Sequence, residues 1–374
     1  MASKQKLGEK VQRHFLRLYP KRLRYFNKHP ITAVVIFLLL YYSINIALSL
    51  HYGVFSNSPE VETFTEDAGV LLVPAILSAA IYYYFCFPTL LRTTFDALLI
   101  RGIFVSTPVK ISNRMQGKFK SRRPAFLGPA LSLCAYLASI LWLLNQNEPT
   151  SWWYLNPTII IIGISVLQIA WVPFFSLLVN YAIAILLIRD ILEGNEIQVY
   201  RLSVDRSGGF GPLGQFSLRV VFFAFSYGIF LAQWAIHSTS DGTIGTDYAL
   251  FFNVTLYAVL VPTFFYLPLS IAHQKMAAFR EKLVHETSRQ YLREHLNIHE
   301  GKLPKLTKLE EQVKHMAALQ VLVKHELDYP VWPFSTRIRL TVLLNSLIPA
   351  VPTIIGILLG VATLGFELMQ PHQA

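Results

Sequence analysis

The sequence predicts an all-α polytopic membrane protein with seven transmembrane helices, its N-terminus inside and its C-terminus outside. A cytoplasmic helical hairpin is expected between helices six and seven. Three observations carry that expectation. Of 374 residues, 53% are hydrophobic and only 15% charged, against about a quarter charged in soluble domains, and the mean hydropathy is +0.43. Apolar stretches without a single acidic residue recur along the chain. The charges between those stretches are sorted by sign.

A crossing helix needs roughly 20 apolar residues at about 1.5 Å rise each, because backbone polar groups in hydrocarbon must bond within their own segment. Seven stretches meet this: 31–50, 68–90, 125–144, 158–188, 218–236, 248–272 and 338–364. Short loops rich in Lys and Arg stay in the cytoplasm. The first thirty residues carry nine basic side chains, from Lys4 to Lys28, and the loop 91–124 carries Arg92, Arg101, Lys110, Arg114, Lys118, Lys120, Arg122 and Arg123. The alternate loops hold only Glu60, Glu62, Glu66, Asp67, Glu148, Asp241, Asp247 and, after the last stretch, Glu367. All 33 basic residues and 14 of the 22 acidic ones therefore fall on one side, net +19, and eight acidic residues on the other, giving back the total of +11. This places the chain in the plasma (inner) membrane as a multi-pass protein, and the excess charge reads as a record of topology. Trp142, Trp152, Trp153 and Trp234 sit at the expected outer ends, where an indole keeps its ring in the acyl boundary and its N–H near water. The first stretch lacks a small-residue cleavage site and is expected to remain as the first span.

The composition is too apolar for a disordered chain, and with only Cys86 and Cys134 there is no disulfide framework. In the arm 1–30, Leu7, Val11, Phe15 and Leu18 recur at helical spacing between basic residues. They predict an amphipathic helix lying on the inner leaflet and meeting anionic lipid. No recognition motif points to nucleic acid.

Spans one to six, with cytoplasmic loops 91–124 and 189–217, occupy 31–272; the hairpin occupies 273–330, and the last span with a short outer tail 331–374. From His273 the sixth helix is expected to continue to about His299, until Gly301 and Pro304 stop it. Then Leu306, Leu309, Val313, Met316, Gln320, Val323 and Leu327 recur at three and four, a coiled-coil seam over three heptads that has to pack on something. Met276, Phe279 and Leu283 of the preceding helix match it, so an antiparallel hairpin is the simplest solution. It serves either as a cytoplasmic lever or assembly element, or merely as a connection.

The run from Asp205 to Gly214 contains Gly208, Gly209, Gly211 and Gly214 with Pro212, a compact irregular turn before span five. Gly209, Gly211 and Gly214 fit G-x-G-x-x-G, but no strand precedes them and Pro212 removes an N–H that phosphate would need. A bend returning the chain to the membrane competes with a flexible gate or an anion nest flanked by Arg206 and Arg219. The run Asp205-Arg206-Ser207-Gly208-Gly209-Phe210-Gly211, the stretch Leu267-Pro268-Leu269-Ser270-Ile271-Ala272-His273 and the triplet Trp332-Pro333-Phe334 resemble a family of prokaryotic polytopic integral membrane proteins to which no activity is assigned. In that family His-Pro precedes the Asp-Arg, where this chain has Ser203-Val204. The resemblance covers the C-terminal half and implies a membrane fold without implying chemistry.

Catalytic constellations are not found: there is no H-E-x-x-H, G-x-S-x-G, Walker lysine or cysteine pair, and His295 with His299 lacks a third ligand nearby. No catalytic residue, cofactor or metal is expected. The spans contain no mid-membrane Asp, Glu, Lys or His, which argues against proton coupling. They hold neutral polarity instead, and Gln168, Asn180, Asn253, Asn345 and Ser346 are the candidate lining of a hydrated path. Each is also explicable as interhelical glue. Pro173, Pro349 and Pro352 interrupt spans four and seven and, with the four glycines, are candidate gate or hinge positions. The leading expectation is an oligomeric channel or pore-type conductor gated through the hairpin. Against it stand a membrane-anchored sensor or scaffold and a facilitator for a neutral solute.

Overall fold

The computed structural model describes residues 9, 11–13, 15–16, 21–53, 55, 64, 68–104, 123–144, 157–194, 197–199, 207–240, 248–299, 306–329 and 331–332. Among these residues the structure is helical, with one isolated antiparallel bridge between Phe104 and Ile197. A 3-10 turn, Lys21–Asn27, leads into α1 (Pro30–His51), followed by α2 (Ala68–Ile100), α3 (Arg123–Leu144), α4 (Pro157–Gly194), α5 (Gly211–Ser240), α6 (Tyr248–His299) and α7 (Leu306–Leu327).

Five of these helices have the length and hydropathy to cross a membrane: Pro30–His51, Leu72–Ile100, Ile161–Gly194, Gly211–Ala235 and Leu250–Leu296. The apolar part of α3, Phe126–Leu141, is shorter. The seventh stretch, 338–364, lies outside the described residues, and with it Asn345, Ser346, Pro349 and Pro352. The helices also run further than their apolar cores. α2 continues ten residues past Leu90 and α4 to Gly194, carried by Arg92–Asp96 (3.4 Å) and Arg189–Glu193 (3.0 Å) pairs four residues apart. Hydropathy marks where lipid ends, whereas these pairs mark where the helix does.

α1 starts with Pro30 in its first turn, where a missing N–H costs nothing. It stops at Tyr52 and Gly53, whose N–H groups bond Leu48 O and Leu50 O while Gly53 adopts φ +70°. Only a strip of α1 is buried, Ala33, Phe37, Tyr41, Asn45 and Ser49 at steps of four, and it packs on α2 and α4. Ile31, Val35, Ile36, Leu39 and Leu40 face outward, as lipid-facing residues of an all-apolar helix would. The centre is formed by α2, α4, α5 and α6, and α3 packs on α4. Here the contact is close, since a methyl on Gly128 would lie 2.5 Å from Ser176 Cα. Lipid tails are as apolar as leucine, so helices in a bilayer associate through such small-residue contacts and through hydrogen bonds.

The N-terminal arm departs from expectation. Val11 and Phe15 are fully buried in the protein core, with Phe15 edge-on to Phe87 at 5.4 Å. Gln12 accepts from Arg92 (3.0 Å) and donates to Thr89 (3.3 Å), and Glu9 lies 3.8 Å from Arg92. The face expected on lipid meets α2, because the basic end of α2 offers both an apolar seat and a partner for Glu9. Leu7 and Leu18 lie outside the described residues.

Candidate functional site at the base of the hairpin

The glycine run makes a buried turn. Gly208 (φ +61°) and Gly209 (φ +96°) take left-handed conformations that other residues rarely adopt. Ser207 then starts α5, its Oγ accepting from Gly211 N–H at 2.8 Å and its carbonyl accepting from Phe210 N–H at 3.0 Å. Gly211 and Gly214 lie within α5 and need no positive φ. Ser207 to Phe210 are buried, and Arg101 at the end of α2 reaches Gly209 O at 3.5 Å. The N–H an anion nest would use is taken by Ser207, so the turn is built as a packed corner. Arg206 lies outside the described residues, and Arg219 projects from α5 two turns further on.

Gly208 lies where three segments meet. A Cβ there would come 3.0 Å from Val199 Cγ1, 3.1 Å from the Tyr329 hydroxyl and 3.3 Å from Met276 Cε. Met276 is fully buried, and Phe279 packs edge-on to Tyr329 at 6.1 Å. One turn before Met276, His273 Nδ1 lies 2.9 Å from Val331 O, and its ring stacks on Trp332 at 4.0 Å with an angle of 16°. Trp332 in turn sits edge-on to Tyr266 at 5.8 Å. Three runs singled out in the sequence, at Ser207, at His273 and at Trp332, thus meet at one joint between α5, α6 and the chain leaving the hairpin. Tyr329 and Val199 escaped sequence reasoning, since nothing in their neighbourhood marks them apart from the aromatic itself.

The hairpin exists, but its seam is rotated. α7 packs on α6 through Met316, Leu319 and Val323, with Glu326 buried. Val313 and Leu327, placed in the seam by the heptad, are each 55% exposed, and Gln320 is exposed too. The side chains of Leu306 and Leu309 lie outside the described residues. Polar contacts account for the rotation: Thr287 donates to the Glu326 carboxylate (3.1 Å) and Gln320 to Tyr291 OH (3.0 Å). At that level α6 is polar, so hydrogen bonds rather than leucines fix the facing residues.

The proposed path residues are held apart. Gln168 donates to Ser132 O (2.7 Å) and lies 2.6 Å from Ser132 Oγ, tying α4 to α3. Asn253 accepts from Tyr227 OH at 2.7 Å, tying α6 to α5. Asn180 is buried on α4, about 18 Å along the helix from Gln168. At the level of Tyr227, Trp171, Phe174 and Phe230 pack around its ring with centroids 5.0 to 6.5 Å away. α4 runs unbroken through Pro173. Asn45 Oδ1 and Gln233 Oε1 are buried with no hydrogen-bond partner among the described residues. Cys86 is half-buried, and Cys134 is exposed on α3. Among the described residues no three His, Cys, Asp or Glu side chains gather as metal ligands would. Comparison with protein family models, with curated proteins and with solved structures returns no match.

Proposed function

We propose that this chain is a membrane-anchored assembly protein whose cytoplasmic hairpin pairs with the hairpin of a second copy, the spans holding it in place through the joint at its base. One observation carries the reading. Leu292 and Leu296 on α6 and Val313 and Leu327 on α7 are all more than half exposed. Each of Val313, Gln320 and Leu327 follows by one residue a position turned toward α6, and Leu292 and Leu296 follow Tyr291 and His295 in the same way. In an antiparallel pair that offset puts them on one flat side, an apolar stripe across both helices. The heptad that exceeds what α6 covers is thereby accounted for, because its outer half is left for a partner. Self-pairing of one patch about a twofold axis is the commonest way such a stripe is buried.

The test is the copy number of the full chain in lipid nanodiscs, measured by mass photometry. The wild type is expected to be a dimer or higher multiple, and Val313→Glu with Leu327→Glu a monomer with an unchanged helical spectrum. A wild-type monomer, or a double variant that keeps its copy number, overturns the reading and leaves the stripe to a cytosolic partner.

The conductor remains the second reading, favoured by the buried amide oxygens of Asn45 and Gln233 that lack a protein partner among the described residues. It requires single-channel or liposome flux from the purified protein, with Asn180→Leu reducing it. The pairwise use of Gln168 and Asn253 weighs against it.

A further inference from the structure

α7 has more apolar surface than α6 and the side-by-side stripe can cover. From Met316 to Val323 it holds eight residues without a charge, and Gln320 is the only polar one among them. A helix that is apolar all round is normally buried all round. α6 takes Met316, Leu319 and Val323, and the stripe takes Gln320. The side of α7 turned directly away from α6 keeps Ala317, Ala318 and Val321 exposed, with Leu322 on its flank.

The charges at the two ends of this outer face select its occupant. Glu310 and Glu311 stand at the N-terminal end, and Lys324 and His325 at the C-terminal end, all four exposed. Glu311, Lys324 and His325 form no ion pair among the described residues, and Glu310 reaches Lys314 of its own helix at 2.9 Å. An exposed pair four residues apart is weak and leaves the carboxylate open to a second donor. Glu310 and His325, Glu311 and Lys324, and Lys314 and Val321 are each symmetric about the bond between Ala317 and Ala318. A second α7 laid antiparallel on the first therefore sets acid against base at both ends. It also lays the stem of Lys314 over Val321 and puts the two smallest side chains at the crossing. Laid parallel, it sets Glu310 on Glu310 and Lys324 on Lys324, which repel. The face is complementary to itself, in the antiparallel sense alone.

That sense has a consequence in a membrane. α6 passes from its apolar, membrane-length stretch into the hairpin as one helix, and α7 lies along it, with Gln320 3.0 Å from Tyr291. A span crosses within about 20° of the bilayer normal on average, so the hairpin stands off the bilayer. Two helices standing upright on one bilayer are parallel. To be antiparallel they must rise from two bilayers that face each other.

We propose that the outer face of α7 joins copies in two facing bilayers, so that the protein tethers membranes through antiparallel α7 pairs. The Tyr291–Gln320 contact places the middle of α7 about 20 residues, ~30 Å, beyond His273, and the twofold axis doubles this to a gap of about 60 Å. One such contact is small, and many copies per membrane supply the avidity. The contact rests on the spans lying in a bilayer. It uses a different face from the side-by-side pairing and stands whether or not that pairing occurs.

Clustering of phosphatidylcholine liposomes that carry the full chain, labelled in two colours and matched for protease-accessible hairpins, tests it. The neutral lipid removes any bridging by the basic arm. Wild-type vesicles are expected to cluster, with facing bilayers about 60 Å apart by electron cryomicroscopy. Glu310→Lys with Glu311→Lys is expected to abolish clustering. The fourfold swap that adds Lys324→Glu and His325→Glu is expected to restore it among vesicles of that variant but not between variant and wild type, whereas a parallel contact predicts clustering with the wild type. Should the swap not fold, Val321→Lys, an exposed change that meets Lys314 of the opposite copy, is expected to keep the helical spectrum and abolish clustering. Val313→Glu with Leu327→Glu is expected to leave clustering in place, so a failure of side-by-side pairing is read apart from a failure of this contact. Dispersed wild-type vesicles, a folded swap that clusters with wild type or not with itself, clustering that survives Val321→Lys, clustering lost in Val313→Glu with Leu327→Glu, or a gap of half the expected width overturns the proposal.

Discussion

Replacing Gly208 by alanine separates two costs that the joint imposes on one residue. The first is conformational. At φ +61° a side chain crowds its own backbone, at about 1 to 2 kcal/mol. The second is packing, because the new methyl meets Val199, Tyr329 and Met276 at 3.0 to 3.3 Å, closer than comfortable contact. Overpacking of that kind costs about 1 to 3 kcal/mol, so Gly208→Ala is expected to destabilise by about 2 to 5 kcal/mol in total. Gly53 supplies the control. It has φ +70° but nothing within 4 Å of its would-be Cβ, so Gly53→Ala bears the first cost alone. Thermal unfolding of both variants in the same detergent, followed by tryptophan fluorescence, isolates the packing cost as the difference between them. Gly208→Asn adds a check, since asparagine tolerates the left-handed region yet still crowds the joint. If Gly208→Ala melts with Gly53→Ala or above it, Gly208 is not wedged between the hairpin and α5, and the joint as drawn is wrong.

Three further outcomes follow from the packing. Phe15→Ala removes a fully buried ring seated on Phe87, and is expected to cost about 3 kcal/mol and to expose the arm to trypsin at Arg13 in detergent; an arm that served only to lie on lipid would show the same cleavage in wild type and variant. Thr287→Val withdraws the hydroxyl donor from the buried Glu326 carboxylate, at about 1 to 3 kcal/mol, and hydrogen exchange across the hairpin residues 282–299 is expected to speed up while the spans are unaffected. Gly128→Leu forces α3 off Ser176 and is expected to lower the melting temperature more than Gln168→Leu, whose interhelical bond contributes about 0.6 kcal/mol; the reverse order would mean that hydrogen bonds and not close backbone approach hold α3.

The apolar periodicity of the spans was legible in the sequence because hydrocarbon imposes one requirement on every crossing segment, and α1, α2, α4, α5 and the first half of α6 answer to it residue by residue. The pairing of α6 with α7 was legible for a related reason, the end of α6 at His299 and the heptad of α7 both being local. What escaped was the partner of each surface. Val11 and Phe15 have the spacing of a lipid-binding face, and nothing within the arm says that α2 is the nearer apolar surface. The heptad of α7 is a count of leucines and valines, while its rotation is decided by Thr287 and Tyr291 on another helix. Gln168 and Asn253 read equally as lining or as glue until Ser132 and Tyr227 stand opposite them. The joint was visible only as three unexplained runs, at Ser207, at His273 and at Trp332, whose meaning is their meeting.

α6 divides at that meeting into two unlike parts. Pro262 and Pro268 lie on one side of His273, and no proline interrupts the residues from 269 to 299 on the other. The portion beyond His273 is therefore a stretch of 26 residues, about 39 Å long, with a stacked imidazole and indole at its base. A helix in a bilayer of changing thickness answers by tilting. Ten degrees of tilt of α6 about His273 would carry the far end of that stretch through about 7 Å, more than one turn of helix.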